Sequence, residues 1–326
     1  MNRRRALTRI TSLLSTAALP TGLLAQTDKQ LTIVVPYAPA GTTDMLGRML
    51  AQQLTPLLGR QVIVDNKPGA GSGIGAAYVA HAAPDGNTLL VATSTTLAIN
   101  PWLYKKLGYD PARDFAPIGL IGAVPLVVVV PASLPIHTID DLVALSKSRP
   151  GGLSYGSAGN GSPQHLGVEM FKAQTGAQLV HVPYKGSAPA VIDLLSAQIQ
   201  VMFSDIPPAL PHIRSGRLRA LGVTSRKPQI ALPQVLPVAE SGAAGTRGFE
   251  AVAWQSLVAP AGTPTDIISR YSEQLIRIMA QPELREKLER DGFDPRSSTP
   301  EELATYIRVE TERWGKVIRA SGASLD

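Results

Sequence analysis

One stretch near the start of the chain constrains the fold more than any other. Residues 31–35 are apolar and mostly β-branched, which is typical of a strand buried on both faces. Gly41 predicts a tight turn with positive φ, and residues 45–58 repeat apolar side chains at helical spacing. One of the polar residues 42–44 is expected to cap this helix. The stretch therefore predicts a strand, a glycine turn and a helix, the repeating unit of an α/β fold.

The same alternation continues along the chain. Further short strands are predicted at 61–65, 88–92, 117–121, 126–130, 153–155, 179–182, 199–203, 218–223 and 252–258. Helix starts are predicted where Thr138 has an aspartate three residues on, and where Thr263 and Thr299 precede proline. This order of elements argues for mostly parallel sheets with helices on both faces.

Composition limits the classes of function. The chain has 326 residues, of which 44% are hydrophobic, enough for one large or two medium domains. The absence of cysteine excludes disulfides, thiolate metal sites and a cysteine nucleophile. The five histidines show neither an HExxH motif nor i,i+4 pairing. We therefore expect no metal and no other cofactor.

The first 25 residues are typical of a cleaved secretory signal. They contain four arginines, no acidic residue and an apolar run at 10–24 that is short for a membrane span. The remaining chain keeps 27 basic and 25 acidic residues, a net charge of +2, without a basic cluster suited to nucleic acid. The mature protein is predicted to begin near Gln26 in the periplasm, with a retained anchor as the alternative.

Four polar loops, rich in glycine, serine or threonine, follow predicted strands at 37–44, 93–96, 156–162 and 184–189. Parallel sheets bind ligands beyond the carboxyl ends of their strands, so four such loops can converge on one cleft. Free N–H groups at a helix start and hydroxyl groups suit an anion such as a carboxylate. The alternative is that the loops only connect elements.

Signals for catalysis are weak. His165 follows Ser162 by three residues at a predicted helix start, but no Gly-x-Ser-x-Gly elbow is present. Residues 71–76 fit a loose dinucleotide glycine pattern, yet no acidic residue lies about 20 positions further on. We therefore expect a binding protein rather than an enzyme, with a secreted α/β hydrolase as the least favoured alternative.

Several motifs distributed over residues 29–320 form a recognisable pattern. They are Val35-Pro-Tyr-Ala-Pro-Ala-Gly-Thr-Thr-Asp44, Val64-Asp-Asn-Lys-Pro-Gly-Ala-Gly71, Ala83-Pro-Asp-Gly86, Asp114-Phe-Ala-Pro-Ile118, Gly159-Asn-Gly-Ser162 with His165, His181-Val-Pro-Tyr-Lys-Gly-Ser-Ala-Pro189 and Leu210-Pro-His-Ile213. Together they resemble the receptors of tripartite tricarboxylate transporters, the Bug-type extracytoplasmic solute-binding proteins.

The resemblance implies a two-lobed periplasmic binding protein fold. Each lobe would be a mostly parallel sheet flanked by helices, and two crossovers would connect the lobes. The first lobe would comprise residues 26–124 and 252–326, and the second lobe residues 125–251. A small carboxylate would bind in the cleft, partly through ordered water at loop 37–44. The receptor would act as a monomer and deliver this ligand to membrane permease subunits. A ligand sensor for a membrane kinase is the alternative.

The predicted ligand-binding residues lie on or near the loops that follow the strands. They are Tyr37, Ala38, Ala40, Gly41, Thr42, Thr43, Asp44, Ser94, Thr95, Ser157, Gly159, Gly161, Ser162, His165, Lys185, Gly186, Ser187, Ser204 and Asp205. Ser162 is expected to bind the distal end of the carboxylate, unless it only caps a helix.

Two positions depart from the usual pattern of that family. The family usually has Gly-Gly where this chain has Ala40-Gly41, and often has an aspartate directly after Met-Phe, where this chain has Ser204 and then Asp205. We expect these departures to alter loop 37–44 and the polar group that faces the cleft.

Overall fold

The computed structural model describes residues 30–321, so the predicted signal segment lies outside the described residues. The strands are β1 (Leu31–Val35), β2 (Val62–Asn66), β3 (Thr88–Thr93), β4 (Phe115–Pro131), β5 (Leu153–Ser157), β6 (Leu179–Pro183), β7 (Val201–Asp205), β8 (Leu218–Val223), β9 (Val252–Pro260) and β10 (Asp294–Pro295). The α-helices are α1 (Thr42–Leu58), α2 (Gly73–Ala80), α3 (Asn100–Leu103), α4 (Ile139–Ser148), α5 (Pro163–Thr175), α6 (Ser187–Leu195), α7 (Ile206–Arg214), α8 (Thr265–Met279), α9 (Pro282–Arg290) and α10 (Pro300–Ser321). A π-helical turn covers Thr95–Ile99, and a short 3₁₀ turn covers Val238–Glu240.

The strands form two sheets that share β4. The first sheet has the order β2-β1-β3-β9-β4, with β10 also paired to β4, and the second sheet has the order β8-β4-β7-β5-β6. Strands β2, β1 and β3 run parallel to one another, as do β7, β5 and β6. Strands β9 and β4 pair antiparallel with their neighbours. The α/β class is confirmed, and both sheets are mixed around a parallel group.

Strand β4 is longer than the sequence indicates. Two short strands were expected at 117–121 and 126–130, whereas one strand of 17 residues runs through both. Gly119 and Gly122 lie at irregularities in the β4–β9 pairing, where a strand can bend without ending. The partner of β4 changes from β9 at Pro125 to β7 at Leu126, so this single strand connects the two sheets.

Helices cover both faces of each sheet. On the first sheet, Leu50 of α1 and Leu275 of α8 pack in the core of one face, and Val79 of α2 lies in the core of the other. On the second sheet, Phe171 of α5 and Leu194 of α6 lie in the two corresponding cores. Burial on both faces explains the apolar runs of β1, β3 and β4.

Local sequence signals set the starts of several helices. Thr138 and Asp141 form the predicted capping box of α4, and Thr299 forms the same arrangement with Glu302 at the start of α10. The cap predicted at Thr263 is wrong: its hydroxyl donates to the Pro260 carbonyl, and α8 begins one residue later than expected.

Candidate functional site

Loops from the two sheets meet around one narrow cavity of about 20 Å³. The first wall, from the first sheet and its loops, consists of Tyr37, Gly41, Thr42, Thr43, Thr93, Ser94, Thr95, Ala253 and Gln255. The second wall, from the second sheet and its loops, consists of Ala158, Pro163, Gln164, Ser187 and Asp205. This volume has room for about one water molecule, so a ligand of several carbons requires the two walls to move apart.

Five buried polar atoms of these walls have no hydrogen-bond partner among the described residues. They are Thr42 Oγ1, Ser94 Oγ, Thr95 Oγ1, Gln164 Oε1 and Gln255 Oε1. An unpaired buried polar atom costs on the order of 1–3 kcal/mol, and native structures contain few of them. Their concentration at one cavity makes it the candidate site for an ordered water molecule or a polar ligand.

Loop 37–44 carries an unusual backbone conformation. The positive φ predicted for Gly41 is wrong, because Gly41 has φ −86° and Ala40 has φ +67°. Asp44 holds this turn: its carboxylate accepts from the Ala40 N–H at 2.9 Å, from Arg48 Nε at 2.9 Å and from Asn66 Nδ2 at 2.9 Å. Burial acts to raise the pKa of the Asp44 carboxyl, but these hydrogen bonds outweigh it and hold the pKa below its usual range. Ala40 and Asp44 therefore shape the loop without lining the cavity.

The start of α1 supplies donors to the first wall. Gly41 is the cap residue of this helix, which corrects the prediction of a side-chain cap within 42–44. The first N–H groups of a helix have no partner within it, and they carry a partial positive charge. Thr42 and Thr43 lie in this first turn and line the cavity. The wall can therefore bind an anion with neutral donors.

The loop predicted at 93–96 is the entry to the π-helical turn. The Thr96 hydroxyl lies 2.9 Å from the Ser72 hydroxyl and 3.1 Å from the Thr93 hydroxyl, and these bonds hold the turn. The Ser94 and Thr95 hydroxyls remain unpaired at the cavity. The hydroxyls of Thr93 and Thr96 therefore stabilise the turn, whereas those of Ser94 and Thr95 are left for the cavity.

Asp205 is the acidic residue of the second wall. The Ser187 hydroxyl donates to its Oδ2 at 2.9 Å, and Gln164 Nε2 donates to its Oδ1 at 2.6 Å. Burial raises the pKa of the Asp205 carboxyl, against the lowering effect of its contacts with Ser187, Thr42 and Gln164. Ser204 does not line the cavity, since its hydroxyl donates to the Asp205 carbonyl at 2.8 Å. Asp205 is therefore the polar group of this pair at the cavity.

The polar side chains of the glycine loop 156–162 form hydrogen bonds within the second sheet and its helices and not toward the cavity. Ser157 Oγ lies 2.6 Å from His181 Nε2, and the Ser162 hydroxyl accepts from the His165 N–H at 3.2 Å, which caps α5. His165 Nδ1 accepts from the Gly161 N–H at 3.1 Å. The rings of His165 and His181 stack with centroids 4.0 Å apart. Burial lowers the pKa of both imidazoles, that of His181 to about 3, so this pair is neutral at pH 7.

The two walls also touch through backbone. The Ala38 N–H donates to the Lys185 carbonyl at 2.9 Å, and Gly186, with φ +144°, allows this approach. The Lys185 side chain is exposed. Gly159 and Lys185 line a neighbouring cavity of about 200 Å³ that shares Tyr37 with the first one. These contacts close the walls against each other.

The structure divides the predicted binding residues into two sets. Those at the cavity are Tyr37, Gly41, Thr42, Thr43, Ser94, Thr95, Ser187 and Asp205. Those placed elsewhere are Ala38, Ala40, Asp44, Ser157, Gly159, Gly161, Ser162, His165, Lys185, Gly186 and Ser204. Binding itself stays a prediction for both sets.

Sequence reasoning missed several cavity residues. They are Thr93, Ala158, Pro163, Gln164, Ala253 and Gln255. Gln255 interrupts the apolar run of β9, and a buried polar residue in such a strand is a usable signal. Gln164 lies in the first turn of α5, next to the glycine loop. Its side chain is directed to the cavity by a hydrogen bond to Asp205, a partner that the local sequence does not indicate.

Residues 30–321 contain neither a candidate metal site nor a candidate membrane-spanning helix. No group of three or more histidine, aspartate or glutamate side chains is placed to hold a metal ion there. In the same part of the chain, no helix combines the length and the apolar character needed to cross a membrane.

This chain is similar to several known proteins. Residues 46–323 match the model of the tripartite tricarboxylate transporter family receptor, TctC. Protein BugT of Bordetella pertussis is 36% identical over 328 residues, which cover 100% of both chains. The structure of R. palustris Rpa4515 with adipate is 35% identical, with a TM-score of 0.88, and covers 92% of this chain and 100% of that chain. The periplasmic binding protein BugD is 33% identical, with a TM-score of 0.86, and covers 91% of this chain and 99% of that chain. The expected periplasmic binding protein fold is confirmed.

Proposed function

Since this chain belongs to the tripartite tricarboxylate transporter receptor family, we propose that it binds a small carboxylate between its two walls and delivers it to a membrane transporter of that type. The observation that carries this proposal is the cluster of five unpaired, buried polar atoms around one cavity. The presence of adipate in the related Rpa4515 supports a carboxylate as the class of ligand.

Neutral donors suit a receptor that must also release its ligand. Hydroxyls of Thr42, Ser94 and Thr95, with the N–H groups at the start of α1, can surround a carboxylate without a fixed ion pair. The ligand enters while the walls are apart, and closure brings Gln164, Ser187 and Asp205 against its other side. We propose the residues of both walls as the ligand-binding set.

Ligand binding is tested with the mature protein purified from its native host. Mass spectrometry of the small molecules released on denaturation identifies a candidate, which is then titrated calorimetrically beside a carboxylate panel. At a concentration of about 100 times the dissociation constant, the ligand should stabilise the fold by roughly 2.7 kcal/mol, since it binds only the folded state. Stabilisation by neutral sugars and by none of the carboxylates would refute the proposed class of ligand.

The transport role is tested in cells. Deletion of the gene should abolish uptake of the identified carboxylate at low concentration, and wild-type protein should restore it. A kinase sensor would instead leave uptake intact and remove a transcriptional response to the same compound. Ester, amide and phosphate substrates should all remain unchanged after incubation with the purified protein, because the proposal contains no reaction step.

The proposed compartment is the periplasm, as for BugD. Residues 1–25 are the proposed export signal, on the evidence of their arginines and short apolar run. N-terminal sequencing of the exported protein should give a start near Gln26, and a start at Met1 would contradict a cleaved signal.

A further inference from the structure

Asp205 is an acidic residue buried in a wall that offers no opposite charge. It is 6% exposed, and its carboxyl accepts from the Ser187 hydroxyl at 2.9 Å and from Gln164 Nε2 at 2.6 Å, which are both neutral groups. None of the described residues that line the cavity is a lysine, an arginine or a histidine. A carboxyl that loses its contact with water without gaining a cation favours its neutral, protonated form.

The titratable groups on the surrounding elements leave Asp205 without a counter-ion. Strands β4 and β9 contain no titratable residue, and helix α7, which begins directly after Asp205, carries its basic residues in its last turn. The Tyr37 phenol is buried with a raised pKa, so it is neutral at pH 7. Asp44 and Arg48 of α1 form an ion pair with each other, burial lowers the pKa of His165, and the Lys185 side chain is exposed. Burial raises the pKa of Asp205, and the contacts that oppose it come from neutral side chains.

The Asp205 carboxyl can carry a proton without losing a hydrogen bond. The Ser187 hydroxyl donates to Oδ2 and Gln164 Nε2 donates to Oδ1, which is one donor to each oxygen. A carboxyl oxygen has two acceptor positions, so one position on each oxygen remains for a proton. Across the cavity, Thr42 Oγ1 lies close enough to lower the pKa of Asp205 but makes no hydrogen bond of normal geometry. A protonated Asp205 therefore has a donor left for a partner in the cavity.

A carboxylate bound at the first wall would lie next to Asp205. Thr42 belongs to the first turn of α1, whose N–H groups have no partner within the helix. Thr42 and Asp205 line the same cavity of about 20 Å³, so an anion held by this turn meets Asp205 when the walls close. Two ionised carboxylates at neighbouring buried positions repel each other, and such pairs keep one proton between them.

We propose that the receptor takes up one proton when it closes on a carboxylate, and that this proton lies between Asp205 and the bound carboxylate. The coupling rests on the function proposed above and adds a proton to what the closed receptor holds. While the walls are apart, Asp205 faces water and is ionised at neutral pH. Closure removes this water, the proton comes from the solvent, and the cavity then holds one negative charge instead of two.

Calorimetric titration in two buffers counts the proton. The mature wild-type protein is titrated at pH 7.5 with succinate, glutarate, benzoate and adipate, the last being present in the related Rpa4515. HEPES and Tris at equal ionic strength differ in their enthalpies of ionisation, so a proton taken from the buffer changes the observed heat. For an acid that binds, the difference should correspond to about one proton per bound molecule. The Kd should rise by up to about tenfold per pH unit between pH 6.5 and 8.5.

The variant Asp205→Asn assigns the proton to one residue. The amide keeps the shape of the side chain and can donate to a carboxylate, but it binds no proton, so uptake should fall to near zero and the Kd should become independent of pH. Ser204→Ala removes a hydroxyl that bonds to backbone, and His181→Gln removes a member of the buried histidine pair; both should keep the wild-type uptake. If Asp205→Asn does not fold, the proton count and the pH dependence of the wild-type protein decide the question.

The outcomes separate proton uptake from carboxylate binding. Equal heats in the two buffers, with a Kd independent of pH, would overturn proton uptake and leave the carboxylate receptor in place. Uptake that persists in folded Asp205→Asn, or that disappears in His181→Gln, would place the proton on another group and would overturn the proposal as well. Failure of all four acids to bind would refute proton uptake together with the carboxylate receptor.

Discussion

The turn at 93–96 and the glycine loop at 156–162 occupy similar positions at the ends of strands but have different roles. Both follow a strand, and both are rich in hydroxyl or glycine residues. In the first, Ser94 and Thr95 keep unpaired hydroxyls at the cavity. In the second, Ser157 bonds to His181, and Ser162 caps a helix. Loop composition thus indicates where a site lies, whereas the internal hydrogen bonds decide which atoms remain for a ligand.

The largest expected effect comes from the first of these regions. Thr95→Val keeps the side-chain shape and removes a buried hydroxyl that makes no hydrogen bond of normal geometry among the described residues, although it lies close enough to the Tyr37 phenol to lower its pKa. If that hydroxyl bonds to the ligand carboxylate, affinity should fall about tenfold to a hundredfold, or roughly 1.5–3 kcal/mol. Calorimetric titration with the carboxylate that mass spectrometry identifies measures this change.

Thr96→Val is the matched control for Thr95→Val. The Thr96 hydroxyl is bonded to Ser72 and Thr93, so its loss should lower the free energy of unfolding and change affinity much less. Equal loss of affinity in both variants would show that the turn acts only as a scaffold and that the Thr95 hydroxyl does not bind ligand.

Sequence reasoning recovers the elements better than the atoms of the site. Helix α5 begins at the start that the sequence predicts, because Ser162 caps it and Pro163 suits its first position, and Gly176, in the left-handed conformation, ends it. The sequence predicts two strands, at 117–121 and 126–130, whereas β4 is continuous, because Gly119 and Gly122 lie at irregularities in its pairing with β9 that bend the strand without ending it. The position of the cavity follows from the carboxyl ends of the strands. The role of Gln164 does not, because it depends on Asp205, 41 residues away.

The second effect concerns pH and arises in the histidine pair next to the glycine loop, His165 of α5 and His181 of β6. His165 and His181 are neutral in the folded state because burial lowers the pKa of both, against an ordinary value of 6.5. The unfolded chain takes up these protons below about pH 6.5, whereas folded His181 does so only near pH 3. The free energy of unfolding should therefore keep its full value above about pH 6.5 and fall toward pH 5. The decrease is up to about 1.4 kcal/mol per pH unit for each histidine that binds a proton only in the unfolded chain.

Two charged residues next to the histidine pair also affect its pKa values, and a variant of His181 tests whether the pH effect arises from this pair. Lys172 adds to the lowering of both pKa values, and Glu169 opposes it at His165. Urea unfolding at pH 7.5, 6.5 and 5.5 measures the slope of stability against pH, and His181→Gln, which keeps a polar group next to the Ser157 hydroxyl, should reduce it. A wild-type free energy of unfolding that stays constant over this range would contradict the assignment.

A smaller effect is expected at Ser162. Its hydroxyl accepts the His165 N–H and does not line the cavity, so Ser162→Ala should lower the free energy of unfolding by about 1 kcal/mol. Affinity for the ligand should change little. A loss of tenfold or more in affinity with unchanged stability would restore the sequence-based expectation that Ser162 binds the ligand, and would make the two loops alike.

The smallest effect concerns the backbone beside the first wall. Ala40 has φ +67°, a conformation that costs an alanine roughly 1–2 kcal/mol and a glycine almost nothing. Glycine also gains entropy in the unfolded chain, by roughly 0.5–1 kcal/mol, so Ala40→Gly should raise the free energy of unfolding by roughly 0–1.5 kcal/mol, which is below 1 kcal/mol at the middle of both ranges. Ala197, with φ +57° and a position outside the cavity wall, provides the control, and Ala197→Gly should stabilise by a similar amount. Since the Asp44 carboxylate holds the Ala40 N–H in either case, ligand affinity should stay within about twofold for both variants. A larger loss of affinity in Ala40→Gly alone would mean that the methyl group of Ala40 fixes the geometry of the first wall, and the departure from Gly-Gly would then be a determinant of binding.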